Sequence, residues 1–407
     1  MGVTTAYELA RGGSHAITVF DAANDVATEA SGVNAAMIAP GHSYAWASPK
    51  VPGILLKSIY RNDQAFRIRL RLDWDLWKWT ALFLKQCNNV DAIRNTIHKH
   101  NLCKYSQKRL RLITAENHFR YDQQRRGLLF IYRTDATLAK GIEHSHLLAD
   151  NGHHFTTLSP DEVVDLEPVY RHSVSKFAGA LYAPDDETGD SRKFTKQLAK
   201  RCKELGVQFK LQTKVVSLKG NSGRIECADT GSERIEADLY IAALGAHTAK
   251  VLRTAAVNLP IYPVKGYSLS MPANDNTEPL LVGAVDEDRL VAYSPVGSGI
   301  RGTATAEFSG YDLSHRPRDF RPMTLAMKDL LPKAADYEKP TYRTCLRPMT
   351  PHGVPYIGFT YYENLFVNAG QGHMGWTMAC GSAKIAADLI AGVQPQIDAA
   401  PFCPINR

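Results

Sequence analysis

The sequence predicts an α/β fold in which one α/β domain, assembled from separated segments, carries an inserted domain built on an antiparallel sheet. Two observations predict it. Helical and strand-like stretches alternate at both ends of the chain, and residues 261–308 between them alternate in the two-residue period of an antiparallel sheet. The length of 407 residues allows two such domains with full cores. Apolar residues at 44% and charged residues at 22% exclude a mainly disordered chain, and no 18-residue apolar run offers a membrane span.

The elements follow in order. Val3, Ala6, Leu9 and Ala10 recur at helical spacing, and Gly12-Gly13 closes that helix. Residues 16–20 read as a short buried strand ending at Asp21, and 31–53, rich in Gly, Pro, Ser and Ala, as a long loop. Residues 54–126 read as helical and basic. Strands are expected over 128–133 and 177–182, and helices over 136–151, with Asp135 as N-cap, and 159–167. A helix over 190–205 ends at Gly206, and 207–218 carries one or two strands. A buried strand over 237–244 ends at Gly245, and 323–331 reads as helix. The last unit is strand 365–368, a glycine-rich turn and a helix over 376–391.

Charge and thiols narrow the class. Lys and Arg number 48 against 41 Asp and Glu, a net charge of +7, and residues 61–126 hold 15 of the former against 6 of the latter. With Trp74, Trp77 and Trp79 in the same stretch, this segment reads either as a solvated helical face over a core or as a peripheral, salt-sensitive docking face for an anionic membrane. No nucleic-acid motif accompanies it. Seven dispersed cysteines, none in a CxxC pair, read as reduced thiols of a cytoplasmic protein, and no His/Cys spacing suggests a metal.

A dinucleotide site needs a strand, a G-x-G-x-x-G turn, a helix, and an acid about 20 residues on for the ribose. Gly2 opens a helix and Asp21 lies 19 residues after it, so Gly2 fits the third glycine, where helix and strand pack closely. The first strand and first two glycines of that motif are not in the sequence. About ten to twelve upstream residues, an apolar strand ending in Gly-x-Gly-x-x, are the expectation that follows. At the other end, Ala-Gly-Gln-Gly-His-Met-Gly (369–375) joins a strand to a helix. Its glycines allow close backbone approach to a flat ligand, and the helix N-terminus favours negative charge there.

Several blocks in one order resemble a known family. They are Ser-Gly-Val-Asn-Ala-Ala-Met-Ile-Ala-Pro-Gly (31–41) with Trp46-Ala-Ser-Pro, Pro184-Asp-Asp-Glu-Thr-Gly-Asp, Tyr262-Pro-Val-Lys-Gly-Tyr-Ser-Leu, Leu346-Arg-Pro-Met-Thr-Pro-His-Gly-Val-Pro, and Gly375-Trp-Thr-Met-Ala-Cys-Gly-Ser. Together they resemble the bacterial FAD-dependent D-amino acid dehydrogenases, small-subunit type, within the glycine oxidase and D-amino acid oxidase group. The resemblance implies a Rossmann-like FAD-binding domain (1–50, 184–258 and 341–407) and a substrate domain (51–183 and 259–340). It implies hydride transfer from the α-carbon of a D-amino acid to flavin N5, release of a 2-oxo acid and ammonia, and a respiratory quinone or other electron-transfer acceptor at the inner face of the bacterial membrane. An oxidase of glycine, sarcosine or D-amino acids that uses oxygen, a D-hydroxyproline dehydrogenase, and a remnant that no longer holds FAD are the alternatives.

Residue by residue, the resemblance places Gly2 and Asp21 in the FAD fingerprint and Ser31 and Asn34 against flavin and pyrophosphate. Val215 or Val216 then meets adenine, Gly245 lies near the cofactor, and Gly370, Gly372 and Gly375 form the turn at the flavin. Arg347 pairs with the substrate carboxylate, a task that suits a planar guanidinium. Tyr267 is a second carboxylate or pocket residue, and His373 a substrate or flavin contact. Ala36 stands where the family often has Gly, which would crowd the flavin, and Gln371 and His373 depart from the usual Gly-His-Gly-Thr-Leu-Gly turn.

Overall fold

The computed structural model describes residues 1–13, 15–49, 51–53, 66–69 and 72–405. Its largest unit is a nine-stranded sheet. Eight strands run in the order Thr341–Met349, Tyr262–Met271, Gly299–Phe308, Val291–Val296, Gly283–Asp286, Leu128–Tyr132, Gly179–Ala183 and Thr156–Leu158, and Phe66–Ile68 pairs with Gly299–Phe308. The alternation over 261–308 has a physical origin in this sheet, because both faces are covered differently. One face carries helix Pro317–Leu330, whose Phe320, Met323, Met327 and Leu330 recur at helical spacing and join Tyr267, Leu269 and Met271 in one core. The other face turns toward the cofactor domain, where Arg343 reaches the Thr28 carbonyl at 3.0 Å.

The parallel strands of that second domain form two separate pieces. Thr18–Phe20 pairs with Gln208–Lys210, and Tyr240–Ala242 pairs with Leu365–Ala369, which is flanked by the antiparallel strand Tyr356–Phe359. Residues 17–20 of one piece and 239–244 of the other border a single cavity, so the two pieces face each other across it. Helix Gly2–Ala10 packs against helices Ser191–Glu204 and Gly375–Ile390. Helix termini follow the expected chemistry: Asp190 accepts from the N–H groups of Arg192 and Lys193, and Thr134, one residue before the expected Asp135, caps helix Asp135–Ala149.

Two domain assignments change. Strand Thr341–Met349 pairs along its length with Tyr262–Met271, so it belongs to the large sheet and not to the cofactor domain. Helix Asn89–Asn117, expected with the substrate domain, packs instead on the last and first helices. Its Arg109 makes a two-pronged ion pair with buried Glu8 at 2.6 and 2.7 Å, and Asn117 donates to the Tyr7 hydroxyl at 2.8 Å. Gly381 permits the crossing, since a Cβ there would lie 2.7 Å from the Ser106 Cβ. The basic stretch 54–126 thus splits into strand Phe66–Ile68, helix Trp74–Lys85 and helix Asn89–Asn117; residues 54–65, 70 and 71 of that reading lie outside the described residues.

Candidate active site

A cavity of about 1600 Å³ lies between the two sheet pieces and the large sheet. One end is set by Asp21 at the tip of its strand. The Asp21 carboxylate accepts from the Ala23 N–H at 2.9 Å and borders the cavity, as a ribose-facing acid must. Val215 and Val216 border the same end. The Val216 N–H is spent on the Asp229 carbonyl at 2.8 Å, so of the two Val215 is the one whose N–H is not used in that pairing.

Further in, Met1 to Ala6 line the wall. The N–H groups in the first turn of a helix have no acceptor inside it, which suits a phosphate. Gly2 borders the cavity, and a Cβ there would meet nothing within 4 Å among the described residues. Ser31 and Asn34 are fastened side by side by Ser191, whose hydroxyl donates to the Ser31 carbonyl at 2.5 Å and accepts from the Asn34 amide at 2.8 Å. Ala36 is buried in the left-handed region at φ 58°, yet Ala35 and Met37 border the cavity and Ala36 does not. Its methyl therefore does not crowd the cofactor space, contrary to expectation.

At the far end the N-terminus of the sixteen-residue helix Gly375–Ile390 points into the cavity. Gly245, Gly372 and Gly375 border it, but Gly370 does not. Gly370, at φ 86°, backs onto Thr350, where a Cβ would lie 2.6 Å from the Thr350 methyl, so it shapes the turn without touching the cavity. Gln371 is buried and donates to Asn368 at 2.7 Å, and Asn368 donates to Thr5 at 3.0 Å. The unusual glutamine thus ties the turn to the first helix.

Arg347 stands in the wall beside this turn. Its guanidinium crosses Gly266 on the neighbouring strand, where a Cβ would sit 2.6 Å from Nε. The extra residue of a β-bulge, Thr305, lies next to it at φ 59°, and the guanidinium's one hydrogen bond among the described residues is a long 3.5 Å reach to the Ala304 carbonyl. No carboxylate of the described residues pairs with it, and burial lowers its pKa. Lys99 is a second buried cation, donating to the Tyr44 carbonyl at 2.6 Å, with its pKa lowered by burial to about 8. Burial, with Lys99, His42 and Arg347 nearby, pushes His373 well below the usual histidine range and keeps it neutral. Its ring stacks on Trp46 with centroids 4.7 Å apart.

Tyr267 does not join this group. Pairing opposite Thr344, it faces the other side of the sheet from Gly266 and Arg347; its ring packs on Phe320 and its hydroxyl donates to Glu307 at 2.5 Å. Tyr267 borders the cavity, but a period of two turns its ring to the opposite face from Arg347 and its hydroxyl is given to Glu307, so it offers no carboxylate contact beside the arginine. Trp46 and Lys99 are what residue-by-residue reading missed. Trp46 stood inside a quoted block, whereas nothing in the sequence marks Lys99 as buried.

The residues fit an FAD: an acid for ribose, a free helix terminus for phosphate, a glycine-bounded turn and second helix terminus for the flavin, all along one cavity. Comparison with known proteins agrees. Residues 1–389 match the DAO family, described as FAD dependent oxidoreductase. The chain is similar to D-amino acid dehydrogenase 2 of Mesorhizobium japonicum, 38% identical over 399 residues, 98% of this chain and 96% of that protein. It is also similar to a D-amino acid dehydrogenase of Xanthobacter autotrophicus, 37% identical over 98% of this chain and 95% of that protein. Among solved structures, glycine oxidase from Geobacillus kaustophilus superposes with a TM-score of 0.75 at 20% identity, over 100% of this chain and 96% of that one. Cavity, helix termini and these matches along nearly the whole length lead to one assignment: the chain belongs to the DAO family of FAD dependent oxidoreductases.

Proposed function

We propose that the protein oxidises D-amino acids to 2-oxo acids and ammonia and passes the electrons to a respiratory acceptor. The observation that carries this reading is Arg347: a half-buried guanidinium, cleared by Gly266 and without an acidic partner among the described residues, beside the flavin end of the cavity. Names of the relatives supply the D-amino acid. FAD supplies the two-electron acceptor for the hydride that leaves the α-carbon.

The chain's own residues do the rest. Arg347 holds the carboxylate through two charge-assisted hydrogen bonds, and Lys99 adds positive potential at His373. Neutral His373 offers a ring nitrogen to the substrate ammonium, whose proton must leave before the nitrogen lone pair can form the imine. Trp46, stacked on His373, excludes bulk water from that corner. Water then converts the iminium to the 2-oxo acid and ammonium, with no metal ligand cluster among the described residues to assist.

Peripheral attachment to an anionic membrane, from the cytoplasmic side, belongs to the same reading. Leu72, Trp74 and Trp77 are 105%, 84% and 50% exposed at the start of helix Trp74–Lys85, and apolar side chains so placed suit a lipid interface. No helix of the described residues is long and apolar enough to cross a membrane. The test is a steady-state panel on purified holoenzyme: D-alanine should reduce a redox dye with formation of pyruvate and ammonia in equal amounts and without peroxide. Peroxide in step with pyruvate would assign oxygen as acceptor, and inertness toward every D-amino acid would reject the reading.

A further inference from the structure

Residues 28–31 and 33–35 border the large cavity, and the carbonyls and N–H groups of this turn are used differently. The carbonyls are engaged. That of Thr28 accepts from the Arg343 guanidinium at 3.0 Å, that of Asn34 from Arg301 at a long 3.5 Å, and that of Ala35 from the Ser294 hydroxyl at 2.6 Å. Ser191 holds the Ser31 carbonyl, and the N–H groups of Gly32 and Val33 donate to the carbonyls of Glu29 and Ala30 at 2.8 and 3.3 Å. By contrast, the N–H groups of Glu29, Ala30, Ser31, Asn34 and Ala35 donate to no acceptor among the described residues.

Three of the outside donors come from the large sheet. Arg343 stands on strand Thr341–Met349, Arg301 on Gly299–Phe308 and Ser294 on Val291–Val296, and with Tyr262–Met271 these strands lie side by side. Ser270 of Tyr262–Met271 accepts from the Arg301 Nε at 3.3 Å and steadies it. Ser294 is fully buried. Burial lowers the Arg301 pKa, Asp190 opposes that shift, and the neighbouring Arg343 and Arg192 add to it. A guanidinium is thus kept in this seam at a cost, with carbonyls as its partners. The turn is itself strained. Ala27 and Ala36, at its two ends, lie in the left-handed region at φ 57° and 58°, and non-glycine residues persist there only where their surroundings hold them.

We propose that Arg343, Arg301 and Ser294 are positioning residues for the cofactor: the large sheet holds the turn by its carbonyls from outside and so keeps the unclaimed N–H groups presented to FAD. In a trans peptide the C=O and N–H point opposite ways. Arg343 on the Thr28 carbonyl therefore turns the Glu29 N–H away from the sheet, and Arg301 on the Asn34 carbonyl does the same for the Ala35 N–H. Clustered amides without a protein acceptor suit the oxygens of a phosphate or of a flavin ring. A flipped peptide would offer them a carbonyl oxygen instead, which repels them. Arg343 and Arg347 lie four residues apart on one strand and so share a face. The strand that carries Arg347 to the substrate thus also sets the cofactor turn, which keeps flavin and substrate in one register. This last step rests on the D-amino acid reading, and the rest only on FAD as cofactor.

The test is the rate of FAD release from holoenzyme, followed by the fluorescence of free FAD after dilution, with no amino acid present. Arg343→Met should release FAD roughly tenfold faster and Ser294→Ala about fivefold faster, as expected for the loss of one charged and one neutral hydrogen bond. Arg343→Lys should stay within about threefold of wild type, because an ammonium still donates to the Thr28 carbonyl. Arg171→Met removes an ion pair to Glu278 in the same domain and should leave the rate unchanged. Rescue by lysine separates positioning from a folding defect, and Ser294→Ala tests the turn without touching a charge. Wild-type release in both Arg343→Met and Ser294→Ala overturns the proposal. So does release as fast in Arg343→Lys as in Arg343→Met, or an equal effect of Arg171→Met. Reloaded with excess FAD, Arg343→Met should be reduced by D-alanine more slowly at saturation with its half-saturating concentration little changed, since Arg347 is untouched; an unchanged limiting rate overturns the shared register. Release that behaves as predicted, in an enzyme no D-amino acid reduces, would uphold the positioning role and reject the substrate reading alone.

Discussion

Replacing Arg347 by lysine tests the substrate corner at its centre. Among the described residues the half-buried guanidinium has no acidic partner and makes a single long hydrogen bond, to the Ala304 carbonyl at 3.5 Å, so its donors are open to a ligand. A carboxylate there engages two of them in a planar fork. A lysine ammonium is a point donor on a shorter reach and replaces at most one. A hydrogen bond to a charged group contributes about 1.5–3 kcal/mol, so losing one lowers kcat/KM by roughly 10- to 150-fold. The assay is dye-coupled turnover of D-alanine against D-alaninamide, which lacks the carboxylate. Wild type should prefer D-alanine, and Arg347→Lys should lose most of that preference while its flavin content stays unchanged. Gly266→Ala should act in the same direction without touching the arginine, because its Cβ would lie 2.6 Å from Nε and force the fork aside. An Arg347→Lys enzyme with kcat/KM for D-alanine within twofold of wild type would remove the arginine from this role.

Three further outcomes follow from particular contacts. Ala36→Gly should change the Kd for FAD less than twofold, since the Ala36 methyl does not border the cavity; a large gain in affinity on titrating apoprotein would show that it crowds the flavin after all. Lys99→Met should raise the unfolding midpoint at pH 7. The folded Lys99 value of about 8 lies below the ordinary 10.5, so the unfolded chain holds the extra proton between those values and stability rises with pH across that window. The full cost, on the order of 3 kcal/mol, is present below pH 8, less about 1 kcal/mol for the lost bond to the Tyr44 carbonyl. The advantage of the variant should vanish by about pH 10.5, and an advantage independent of pH in denaturant titrations would refute this. Trp74→Ser should weaken partition onto anionic vesicles about 5- to 25-fold for a loss of roughly 1–2 kcal/mol of apolar burial. Val393→Ser, equally apolar and 55% exposed elsewhere, should not; equal effects in a sedimentation assay would argue against a docking face at Trp74.

Much of the fold was legible where local chemistry decides it. The caps at Asp190 and Ser159 and the left-handed Gly206 at φ 87° mark helix ends with residues that only such ends favour. Strand Tyr262–Met271 showed its period, and Arg347 stood out within its block. What failed needed long-range information. The domain home of Thr341–Met349 depends on a pairing with residues almost eighty positions earlier, and that of helix Asn89–Asn117 on an ion pair from Arg109 to Glu8. Tyr267 borders the cavity as its distinctive block suggested, yet strand parity turns its ring into the core on Phe320. Gly370 and Gly372 are two residues apart, and only the second borders the cavity. Lys99 gives no local signal at all: a basic helix with a weak apolar stripe reads as a solvated face, and its burial follows from the segments that close over it.

The central claim, that this corner removes hydride from a D-amino acid whose carboxylate is held by Arg347, is tested most directly by single-turnover reduction. Holoenzyme is mixed anaerobically with D-alanine, L-alanine or D-alaninamide, with no acceptor present, and the visible flavin band is followed. The account predicts complete bleaching by D-alanine at a saturable rate, rates lower by at least tenfold with D-alaninamide, and no bleaching with L-alanine. Persistence of the oxidised band with every D-amino acid, or equal bleaching by both enantiomers, would contradict it.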